Sequence, residues 1–127
     1  MKRKDNRPKY LNLFKIHLPI TGIASINHRL SGLILFLSIP LSLYLLQHSL
    51  SSEAGFKEAI SCFSSPWVKL ALVLLTWSFV HHLFAGFRFL LIDQNIGVSL
   101  SVARKSAWFV VFAAIVVTVV ISGVWML

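Results

Sequence analysis

Charge is what this sequence has least of. Asp, Glu, Lys and Arg make up only 13% of its 127 residues, and the acidic ones number four. A water-soluble domain carries about 25% charged residues. Too few are present here to coat a soluble surface, which excludes an ordinary globular enzyme. The 57% apolar content excludes a disordered chain as well. A single cysteine, Cys62, allows neither an internal disulfide nor a CxxC metal site. Period-2 alternation, internal repeats and low-complexity tracts are also missing, so membrane β-strands and repeat arrays drop out. What remains is an integral membrane protein of the all-α class.

The charge that is present is one-sided. The net charge of +8 would suggest nucleic acid in a soluble protein. Here Lys2, Arg3, Lys4, Arg7, Lys9 and Lys15 crowd the N-terminus, and basic segments beside hydrophobic spans set orientation and meet anionic lipid. The expected partner surface is therefore the lipid membrane, with no nucleic acid. The first long apolar run begins after residue 30 with no A-x-A site behind the basic start, a pattern that predicts no cleaved leader.

A spanning helix needs about 20 mostly apolar residues to cross roughly 30 Å of hydrocarbon. Apolar runs over about 31–50, 67–92 and 107–127 meet that length, and Pro40 is expected to kink the first. The reading is a basic cytoplasmic segment over 1–20 and a three-helix transmembrane domain over 21–127, with helices over about 22–50, 66–92 and 105–127. Residues 49–65 read as a short polar loop with a helical turn through 53–60. Ten of the twelve Lys and Arg residues lie on one side and only Lys57 and Lys69 on the other. The positive-inside rule puts the N-terminus and the 93–103 loop in the cytoplasm (or the matrix, in a mitochondrion) and the C-terminus outside. Trp67, Trp108 and Trp125 fall near span ends, as interfacial anchors do. Three spans do not easily enclose a path alone, so the bundle is expected to be part of a heteromeric one.

Two sets of polar residues stand where a membrane rejects them. After Pro19, the residues Ser25, His28, Arg29 and Gly32 are spaced i, i+3, i+4 and i+7, one face of a helix. Arg29 can hold a carboxylate or polarise a carbonyl, and Ser25 can hydrogen-bond a ligand oxygen. Equally, Arg29 can snorkel to headgroups. In the second span stand His81 and His82, about 100° apart on a helix. His82 shares a face with Ser78, Ala85 and Gly86, which leaves room for a flat macrocycle, and a neutral imidazole there suits an axial ligand of haem iron. His81 shares a face with Trp77, Phe84 and Arg88, which is crowded. A histidine hydrogen-bonded to a neighbouring helix is the alternative for either. His82 lies roughly 9 Å into the membrane from Arg88, on the side where His28 and Arg29 lie.

The stretch Ser25-Ile26-Asn27-His28-Arg29-Leu30-Ser31-Gly32 resembles the S-I-x-H-R-x-[ST]-G signature of the succinate dehydrogenase cytochrome b556 family. His82-Leu83-Phe84-Ala85-Gly86-Phe87-Arg88, with Asp93 following, is similar to that family's H-x3-G-x-R motif. The likeness runs from about Arg7 to the C-terminus and extends to the outward loop around 49–56. It implies a complex II membrane anchor that works with a flavoprotein subunit, an iron–sulfur subunit and a second small membrane-anchor subunit, passing electrons from succinate to ubiquinone. By the same resemblance His82 is one axial ligand of haem b, the other coming from the second anchor chain. His28 and Arg29 neighbour the haem propionates, and Ser25 and Arg29 belong to the ubiquinone site. It places the chain in a bacterial inner membrane. Phe89 stands where some members carry a second histidine, and Asn27 replaces an aliphatic residue. His81 is an extra histidine. The anchor of a quinol:fumarate reductase and a non-redox small membrane protein are the competing readings.

Overall fold

The protein is described by a computed structural model over residues 17–126, with side chains to residue 125. The basic segment over 1–20 lies outside the described residues up to position 16, as does Leu127. The described residues form four helices: α1 (Ile20–Ser51), α2 (Glu53–Cys62), α3 (Pro66–Asp93) and α4 (Leu100–Met126).

Each boundary has a local cause. Pro19 is extended at the head of α1 and its carbonyl accepts from the N–H groups of Gly22 and Ile23. The helix then runs 32 residues, through Pro40, a length of about 48 Å. Ser52 breaks it with extended backbone and immediately caps α2, its hydroxyl accepting from the Gly55 N–H at 3.0 Å. Pro66 stands in the first turn of α3, where its missing N–H costs nothing. Asn95 and Gly97, with φ of 59° and 76°, turn the chain between α3 and α4.

α1, α3 and α4 are each long and apolar enough to cross a membrane. The second short helix is fuller than the sequence suggests, since the Ser52 cap and the Glu53–Lys57 pair at 2.6 Å support its first turns. It folds back on α1, where Gly55 meets the His48 carbonyl so closely that no Cβ fits. α4 begins at Leu100 rather than near 105. Its first turns are polar on the outside, where Arg104 and Lys105 are exposed, and Ala103 and Ser106 on the inside are bonded to Arg88. Hydropathy alone does not register such a turn.

The packing is that of a membrane protein. The buried apolar residues are small or of modest size: Ala24, Ala59, Val80, Ala85, Ala107, Val110 and Ala114. Bulky side chains such as Phe36, Trp67, Phe79 and Phe109 are exposed. Lipid is as apolar as leucine, so close backbone approach by small residues holds the helices together, not burial of large ones. On α3 the enclosed stripe is Ser78, His81, Ala85 and Arg88. On α4 it is Ala107, Val110, Ala114, Thr118 and Ser122. α3 packs against both α1 and α4, and α1 packs against all three other helices.

Candidate functional site

The polar residues singled out from the sequence meet where α1 crosses α3. His28 and His82 stack with ring centroids 4.2 Å apart and planes 12° from parallel. His82 Nδ1 lies 3.1 Å from the His28 carbonyl oxygen. A carbonyl only accepts, so Nδ1 carries the proton and donates. Ser31 also donates to that carbonyl, at 2.9 Å, and its oxygen lies 3.4 Å from His82 Nδ1. The neutral ring protonated at Nδ1 keeps its lone pair on Nε2. No hydrogen bond among the described residues uses Nε2, and the ring is only half-buried.

Gly32 makes this approach possible. A Cβ there would lie 2.9 Å from His82 Cε1 and 3.2 Å from Nδ1. The imidazole thus occupies a notch that only glycine leaves. Gly86 faces His28 less tightly, its would-be Cβ standing 3.7 Å from Nε2. Phe89 closes the other side of His28, edge-on at 5.2 Å.

His81 points elsewhere. It is wholly enclosed, stacks on Trp77 at 5.3 Å, and neither ring nitrogen has a hydrogen-bond partner among the described residues. The Ser78 hydroxyl one turn away is enclosed and unpartnered likewise. This redistributes the neighbours expected from sequence: Ser78 and Ala85 belong to the enclosed stripe with His81. The room beside His82 comes from Gly32 across the helix crossing. A helical wheel of α3 alone cannot show which of two adjacent residues meets the seam.

The four α1 residues do not share one environment. Ala24 and Ser31 face the bundle; Ser25, His28 and Gly32 are its half-buried flank, and Arg29 is exposed. Only His28 and Gly32 of that set touch His82, while Ser25 and Arg29 make no hydrogen bond among the described residues. The motif alone gives Ser31 no role and Gly32 only a place on the Ser25–His28–Arg29 face. Their spacing of three and four from His28 was the signal that they share its neighbourhood.

Three apolar spans holding a polar histidine cluster at one crossing define a multi-pass, all-α membrane subunit. The chain belongs to the succinate dehydrogenase/fumarate reductase transmembrane subunit family, whose model matches residues 3–121. It is 38% identical over 120 residues to the succinate dehydrogenase cytochrome b556 subunit of Coxiella burnetii, covering 94% of this chain and 95% of that one. The subunit of the same name from Paracoccus denitrificans is 30% identical over 122 residues, 91% of this chain and 89% of its own. That from Rickettsia felis is 27% identical over 117 residues, 92% and 91% of the two chains.

Proposed function

We propose that this chain is the cytochrome b membrane anchor of a succinate:ubiquinone oxidoreductase. It would hold the flavoprotein and iron–sulfur subunits at an inner membrane beside a second small anchor chain. The observation that carries the reading is the half-buried His82 ring, whose Nδ1–H donates to the His28 carbonyl while Nε2 has no hydrogen-bond partner among the described residues. Histidines that bind a metal characteristically donate their second ring N–H to a carbonyl or carboxylate, which fixes tautomer and orientation.

Haem b fits these residues: when bound, it supplies a one-electron iron couple inside the membrane. Of this chain's residues, His82 is the one that would hold the haem iron, through the Nε2 that is unpartnered among the described residues. The partner anchor chain would supply the other axial ligand. His28 and Arg29, at the same end of the bundle, would meet the propionates. Ser25 and Arg29 would hold ubiquinone by a hydroxyl and a guanidinium directed at its carbonyl oxygen. None of these side chains makes or breaks a bond to carbon; they bind, orient and keep protons at fixed nitrogens. The basic excess supports an N-terminus in the cytoplasm and a C-terminus in the periplasm. The names of the relatives favour succinate oxidation over fumarate reduction.

The test uses the tagged chain purified in mild detergent from its native membranes. Succinate and then dithionite are added while reduced-minus-oxidised absorption is recorded. A b-type band with flavin and iron–sulfur proteins co-purifying is expected. An intact, colourless preparation lacking those partners overturns the reading.

A further inference from the structure

Arg88 is a charged group that the bundle encloses. It is 7% exposed, near the end of α3, and its Nε donates to the Ser106 hydroxyl at 3.0 Å. Nη2 donates to the Ala103 carbonyl at 3.1 Å, and the Phe89 ring lies 5.3 Å from Cζ. All three partners are neutral, and a guanidinium does not lose its proton in a protein. A buried cation without an anion is costly in apolar surroundings. Among the described residues no carboxylate pairs with it. Asp93, nearest in sequence, is exposed, and the ion pairs of the described residues lie between the outward end of α1 and α2.

The guanidinium forms part of the wall of a half-open cavity of about 340 Å³ between α3 and α4. Apart from Arg88 and Ser106 the wall is apolar, with Phe84, Phe87, Phe109 and Val110 prominent. Arg104 and Lys105 are exposed beside Ala103 and add positive charge at this end. One enclosed cation in an aliphatic and aromatic wall matches a single ligand chemistry: an anion carried on a hydrocarbon chain. We propose that this cavity binds an anionic phospholipid, its phosphodiester against Arg88 and the upper part of an acyl chain along the phenylalanines. A partner carboxylate would satisfy the charge but not the hydrocarbon-lined wall. Phe89 stands between this cavity's arginine and His28, but the proposal does not rest on the haem or quinone reading.

The experiment compares the wild-type chain, with whatever co-purifies, against Arg88→Gln and Val102→Trp, the latter filling the cavity while leaving Arg88 and its bonds in place. Each is extracted in lipid-retaining polymer discs, stripped with detergent, and its retained phospholipid counted by native mass spectrometry. The stripped wild type is then titrated with phosphatidylglycerol, phosphatidylcholine or inorganic phosphate while Tm is followed. The expected result is one anionic lipid retained by wild type and lost from both variants, with phosphatidylglycerol alone raising Tm. Equal protection by phosphatidylcholine, or protection by inorganic phosphate alone, overturns it. So does unchanged lipid in Val102→Trp, should Arg88→Gln fail to fold. Loss of a co-purifying chain from Arg88→Gln with lipid count unchanged would assign Arg88 to a partner's carboxylate instead.

Discussion

His82 and His28 are tied twice: their rings stack at 4.2 Å, and the side chain of one donates to the main-chain carbonyl of the other at 3.1 Å. A side chain of α3 is thereby registered to the backbone of α1, and its free nitrogen has a defined direction before any cofactor arrives.

Replacing His82 by Ala is expected to abolish or severely distort the b-type spectrum. His81→Phe, which keeps an aromatic ring on Trp77, is expected to leave it intact. Haem content per chain, measured as the pyridine haemochrome, decides between them. Haem lost only from the His81 variant would transfer the ligand role to the enclosed histidine.

Gly32→Ala places a methyl 2.9 Å from His82 Cε1, and overpacking of that kind costs about 1–3 kcal/mol. The ring must shift and its bond to the His28 carbonyl lengthens. We expect normal membrane insertion with reduced haem occupancy and a displaced absorption band. Gly86→Ala, with ordinary contact distance at 3.7 Å, serves as the matched comparison and is expected to resemble wild type.

Arg29→Ala would remove the proposed charge-assisted hydrogen bond to ubiquinone, worth about 1.5–3 kcal/mol. Succinate:quinone activity is expected to fall about 10- to 100-fold, with succinate oxidation by an artificial dye retained. Equal loss of both activities would assign Arg29 to assembly.

Cys62 is exposed at the end of α2, which the proposed topology puts outside. A membrane-impermeant maleimide added to intact spheroplasts is expected to label it without permeabilisation. Labelling that appears only after the membrane is opened, with equal reactivity after denaturation, would invert the topology.

Much of the fold was legible in the sequence because membrane spans are written in length and polarity, which neighbours do not alter. The departures occur where polar residues join a helix. Leu100 begins α4 because Arg88 bonds Ala103 and Ser106 from another helix, a pairing invisible to hydropathy. The S-I-x-H-R-x-S-G and H-x3-G-x-R stretches located the site, yet the contact between them lay in Gly32, whose missing side chain leaves no mark in a single-helix projection. Adjacent His81 and His82 differ in environment for the same reason: the crossing angle of α1 over α3 decides which ring reaches the seam.

The shared carbonyl of His28 has a consequence for biogenesis. Because the acceptor belongs to α1 and the ring to α3, the ligand geometry exists only once those two helices have docked. A chain with α1 and α3 misregistered would leave the His82 ring without its acceptor and, on the proposed haem reading, would stay pale.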